Sequence, residues 1–67
     1  MLKAKDVKKG DWLQDVNGIY EVMATNVGVG NLTELNEIIF WDDEFFPYYY
    51  GDKRYLTDLE ISHMERM

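Results

Sequence analysis

The stretch Gly10-Asp11-Trp12-Leu13-Gln14-Asp15-Val16-Asn17-Gly18-Ile19-Tyr20-Glu21-Val22-Met23-Ala24 decides how this chain folds. Asn-Gly between two strand-like runs is a strong hairpin signal, because a type I′ turn needs two residues that accept positive φ. A two-residue turn at Asn17-Gly18 sets Asp15 opposite Tyr20, Leu13 opposite Val22 and Trp12 opposite Met23. Parity then puts Leu13, Tyr20, Val22 and Ala24 on one face beside Asp11 and Asp15. Trp12, Val16, Ile19 and Met23 fall on the other, beside Gln14 and Glu21. Apolar groups on both faces lead us to expect a hairpin wrapped into a small barrel, or covered on its second face by a helix or another chain.

Upstream, Val7-Lys8-Lys9-Gly10-Asp11 leads into the first strand, and Ile19-Tyr20-Glu21-Val22 follows the turn. This arrangement resembles the opening of SH3-like small β-barrels, including the KOW type, over residues 6–24. The resemblance implies a fold and carries no function, since such barrels bind nucleic acids and peptides alike. Nucleic-acid-binding members present basic loops, whereas this chain has Asp15, Asn17 and Glu21 in the corresponding region.

Downstream, Val27-Gly28-Val29-Gly30-Asn31 is a turn, and residues 32–41 read two ways. Asn31 with Glu34 could open a helix as a capping box, while Ile38-Ile39-Phe40-Trp41 has strand composition, and strand is favoured. Phe45-Phe46-Pro47-Tyr48-Tyr49-Tyr50 reads as an edge strand or loop, because proline cannot donate to a central ladder. Thr57 with Glu60 forms a second capping box, with Leu56 and Ile61 as a hydrophobic staple, and predicts a helix over 58–65. The expected fold is mainly β: a small SH3-like barrel or curled antiparallel sheet with a short C-terminal helix, one domain over 1–67.

A chain of 67 residues with no cysteine has room for one modest core and no disulfide or thiolate metal site to reinforce it. Self-association is therefore a further source of stability, and a homo-oligomer is one expectation. No apolar run is long enough to span a membrane, and the opening MLKAKDVKKG lacks the apolar stretch of a signal peptide, so a cytoplasmic location is expected.

Between Gly10 and Asp52 the charged residues are Asp11, Asp15, Glu21, Glu34, Glu37, Asp42, Asp43, Glu44 and Asp52, with no lysine or arginine among them. Lys3, Lys5, Lys8 and Lys9 crowd the first positions, while the whole chain carries a net charge of −6. Read along the sequence, this is a single-signed field whose counterpart is a basic surface and which repels phosphate backbones.

Catalytic chemistry has little to draw on. There is no thiol nucleophile, and the single histidine, His63, suits the end of the last helix better than a metal site. Asp42-Asp43-Glu44 are consecutive and lack the spacing of a calcium loop, and the Gly28/Gly30 turn lacks the lysine of a phosphate loop. The expectation is a non-enzyme with no cofactor and no metal.

Partner binding remains. Turns and strand ends keep charges exposed, which selects Asp15, Glu21, Asp42, Asp43 and Glu44 as candidate contacts. Six aromatics between Phe45 and Tyr55 exceed what one small core absorbs, which adds Phe45, Tyr48 and Tyr50, with strand addition at a sheet edge as their mode of contact. The chain reads as an acidic protein-binding module, an adaptor or inhibitor that occupies a basic, nucleic-acid-binding surface of another protein. In this it resembles the small accessory proteins of bacteriophages. Two other readings stand beside it: a nucleic-acid-binding barrel that uses the N-terminal lysines and exposed aromatics, and a structural subunit that self-assembles.

Overall fold

The computed structural model describes residues 1–41 and 48–67, with backbone alone for 39–41 and 48–50. A 3₁₀ turn, Ala4–Asp6, precedes strands β1 (Trp12–Asp15), β2 (Gly18–Val27), β3 (Leu32–Trp41) and β4 (Tyr48–Leu56). Helix α1 (Asp58–Ser62) and a two-residue strand β5 (Glu65–Arg66) complete the chain. The strands form one antiparallel sheet in the order β4-β3-β2-β1-β5, which is open, with β4 and β5 at its edges. The mainly β fold with a short C-terminal helix is thus borne out as an open sheet, and residues 32–41 are strand.

The β1–β2 hairpin forms where expected, with a different turn. Asp15 pairs with Gly18, Gln14 with Ile19, Leu13 with Tyr20 and Trp12 with Glu21, a two-residue shift from the register that Asn17-Gly18 suggests. Val16 and Asn17 are the turn residues, and neither they nor Gly18 has positive φ. This is the type I pattern, which favours Asp at the first position and Gly at the fourth. The Asp15 carboxylate holds it closed, its Oδ1 accepting from the backbone N–H of Asn17 (2.8 Å) and of Gly18 (3.1 Å).

The strain-tolerant glycine lies one turn earlier. Gly10 has φ +93°, and the Asp11 N–H donates to the Lys8 carbonyl at 3.0 Å across it. Positive φ at the third position is the type II requirement, met by glycine at no steric cost. Asp11 tightens the same turn by accepting from the Lys8 N–H at 2.9 Å. The Gly10 N–H and the Asp11 carbonyl then bond Val22, each at 2.9 Å, so this turn extends the β1–β2 pairing.

Parity sorts the two faces of the hairpin. Leu13, Tyr20 and Val22 are buried and join Val7, Leu35, Ile61 and Met64 in one cluster, with Leu2, Ala4 and Leu56 packed around it. On the opposite face Trp12 and Met23 are exposed, and Val16 at the turn is fully so. Each large side chain withdrawn from water contributes about 1.5–3 kcal/mol.

Helix α1 covers the core face, and its capping box is complete. The Thr57 N–H donates to Glu60 Oε1 at 3.0 Å, while the Glu60 N–H donates to Thr57 Oγ1 at 3.3 Å. Ile61 is fully buried and Leu56 packs beside it, as a staple requires. The helix ends at Ser62, before the expected Glu65, because Met64 must turn inward to the core and Glu65 leaves to pair with Gln14. Leu59 points to solvent.

Candidate protein-binding surface

The hairpin turn, β3, β4 and the last turn of α1 meet around an open cleft of about 540 Å³ lined by Asp15, Tyr20, Glu37, Arg54, Glu60 and His63, among others. Each polar group reaches it for a local reason. Asp15 is held there by closing the hairpin turn, Glu60 by closing the capping box, and His63 by forming the C-cap of α1. Glu37 and Arg54 project from adjacent strands on the core face, beyond the edge of the apolar cluster.

Tyr20 joins the cleft to the core. Its ring is buried, and burial, followed by the neighbouring Asp15 and Glu37 carboxylates, pushes its phenol above the ordinary tyrosine range, with Asp15 also hydrogen-bonded to it. The phenol therefore stays a neutral donor. Arg54 opposes the shift by its positive charge.

A second depression, about 320 Å³, adjoins the first and shares Asp15 and His63 with it; Gln14, Val16 and Glu65 complete its lining. Asp15, Glu60 and Glu65 thus lie around one end of the molecule, and among the described residues none of them has a lysine or arginine within ion-pair distance. No group of three His, Cys, Asp or Glu among the described residues is arranged to hold a metal ion. The carboxylates line a surface and do not converge on a point.

Elsewhere the single-signed field is broken, which corrects the reading along the chain. Asp11 pairs with Arg66 (3.3 Å), Glu34 with Lys53 (3.3 Å), Glu37 with Arg54 (2.7 Å) and Asp52 with Arg54 (3.8 Å). The basic residues that follow Asp52 in sequence return to the acids that precede it. Glu37 raises the pKa of Arg54, and Glu34 that of Lys53, mainly through these hydrogen bonds.

The candidate contact residues are therefore dispersed. Asp15 lines the cleft, whereas Glu21 stands opposite Trp12 on the other face of the sheet. Tyr48 and Tyr50 belong to the edge strand β4, paired through their backbones with Trp41 and Ile39. Asp42, Asp43, Glu44 and Phe45 lie outside the described residues. Glu60 and Glu65 were missed by the sequence reading; the capping box placed Glu60, but nothing local showed that α1 would bring it beside Asp15.

No helix among the described residues is long and apolar enough to cross a membrane. Comparison of the chain with protein-family models, curated proteins and solved structures finds no match.

Proposed function

We propose that this protein is a non-catalytic module that binds a basic surface of another protein, as an adaptor or an inhibitor standing in for nucleic acid there. The observation that carries the reading is the grouping of Asp15, Glu60 and Glu65 around adjoining depressions at one end of the sheet, free of cationic partners among the described residues. Carboxylates already paired within the fold have little to offer a partner, whereas these retain their field. Complementary fields accelerate encounter and suppress wrong partners. Tyr20 and Leu56 are among the walls of the cleft and offer apolar surface to the stem of a lysine or arginine side chain.

The V-x-x-G-D turn and the hairpin after it support placing the fold beside SH3-like small barrels. That proposal concerns architecture alone, and the binding role rests on the acidic end.

An arginine-rich peptide and a basic nucleic-acid-binding protein serve as probes. Binding is expected to weaken with salt, and the triple variant Asp15→Asn, Glu60→Gln, Glu65→Gln should slow association and flatten that salt dependence while retaining the fold. A companion variant, Asp42→Asn, Asp43→Asn, Glu44→Gln, measures the share carried by the remaining acidic run. Binding insensitive to salt and to both variants would overturn the proposal. Tight binding of the unaltered protein to single-stranded nucleic acid at physiological salt would instead favour a role for the exposed Lys3, Lys5, Lys8 and Lys9.

A further inference from the structure

We infer that β4 is where two copies of this chain join, by antiparallel pairing of Tyr48–Leu56 with the same strand of a second copy. β4 is nine residues long, and among the described residues it pairs with β3 alone, which leaves about 30 Å of strand edge without a partner there. The opposite edge, β5, has two residues. Head-to-tail addition of β4 to β5 would leave most of the long edge unpaired, whereas β4 against β4 uses most of its length and closes the assembly with two-fold symmetry.

Charge selects the register. In antiparallel self-pairing about a two-fold axis normal to the sheet, residues of the same face oppose one another, so the axis passes through one residue type. Centring on Asp52, Lys53 or Arg54 sets that residue against its own like charge, which destabilises a ladder. Centring on Tyr49, Tyr50 or Tyr55 shortens the overlap. Centring on Gly51 sets no like charges opposite one another and keeps residues 48–54 paired: Gly51 opposes Gly51, Tyr50 opposes Asp52, Tyr49 opposes Lys53 and Tyr48 opposes Arg54. Lys53 and Arg54 are already tied to Glu34 and Glu37, so they enter the pairing as fixed cross-strand groups and leave the backbone edge open.

Sedimentation velocity on the full chain over a dilution series is expected to show a dimer that dissociates as the protein is diluted. Because the chain has no cysteine, Tyr49→Cys and Lys53→Cys variants can read the register. Mixed and oxidised, they should give a disulfide-linked heterodimer, while each alone should not, since like positions would lie about 13 Å apart, beyond disulfide reach. Hydrogen exchange on the unaltered chain localises the contact without a variant: β4 amides should slow as concentration rises, and those of β5 should not. A monomer at every concentration overturns the inference. So does a dimer whose β4 exchange is independent of concentration, or a folded variant pair that dimerises without cross-linking.

Discussion

The side-chain amide of Asn36 on β3 occupies the space that a β-carbon on Gly51 of β4 would need. Gly51 pairs with Ile38, and Asn36 with Lys53, so Asn36 crosses to its strand neighbour along the sheet surface. The glycine is there for that close approach, since its φ is not in the left-handed region.

Gly51→Ala should therefore cost about 1 kcal/mol or more, the range of overpacking in a fixed site. The same change in an Asn36→Ala background should be nearly neutral. Chemical denaturation of the two single variants and the double variant checks this, because contacting residues give non-additive costs whereas independent ones do not.

The two hairpin-end glycines should respond oppositely to alanine. Gly10→Ala, at φ +93°, should destabilise by about 1 kcal/mol, while Gly18→Ala should be tolerated, its new methyl meeting only Glu37 Oε1 at 3.7 Å. In a domain of this size 1 kcal/mol moves the melting temperature by roughly 4–8 °C, so thermal melts separate the two. A matching loss at Gly18 would mean that the turn is type I′ after all.

Asp15→Ala should destabilise the hairpin by about 1 kcal/mol by leaving two turn N–H groups without their side-chain acceptor. Asp15→Asn keeps an acceptor oxygen and should recover most of that stability. Since the charge is lost in both, the pair also separates the structural role of Asp15 from any part it plays in binding.

Arg66 clamps β5 to the start of the chain, its guanidinium 3.3 Å from the Asp11 carboxylate and donating to the Asp6 carbonyl at 2.6 Å. Arg66→Ala should cost about 1 kcal/mol, the modest value of a half-exposed ionic contact, and should release β5 first. Faster amide exchange at Met67, whose N–H donates to the Trp12 carbonyl, is the local readout.

The capping box gives an acid-side pH dependence. Two hydrogen bonds from Thr57, backbone N–H and hydroxyl, lower the Glu60 pKa in the folded state. A carboxyl whose pKa is depressed by folding contributes stability that is present above its unfolded value, about 4.3, and is lost as pH falls through the folded one. Glu60→Gln retains an acceptor for the box but cannot titrate. Melting temperatures of the wild type should therefore fall more steeply than those of Glu60→Gln between about pH 5 and pH 2.

Much of this fold is legible residue by residue. Parity along Leu13, Tyr20 and Val22 identifies the core face, Thr57 with Glu60 locates the helix, and the β-branched and aromatic run after Leu35 marks β3 as strand despite the helix-like start at Asn31. These features rest on contacts between near neighbours, or on a period that the side chains themselves impose. The hairpin register is not determined in this way. Asn17-Gly18 favours one turn and Asp15 with Gly18 favours another, and the two registers differ by two residues, so both bury the same side chains. Hydrophobic pattern cannot choose between them. Only the assembled sheet, with β3 laid against β2, accompanies one register and a defined turn.

Charge divides in the same manner. The sequence by itself determined the net acidity and the acid-only run, because composition is additive. Which acids remain free was decided by tertiary structure: Arg54 reaches Glu37 across 17 positions, and Arg66, near the end of the chain, reaches the Asp11 carboxylate near its start. Asp15, Glu60 and Glu65 come together only because α1 packs over the core and β5 closes on β1. Electrostatic interaction depends on distance in space, and no spacing along the chain encodes that.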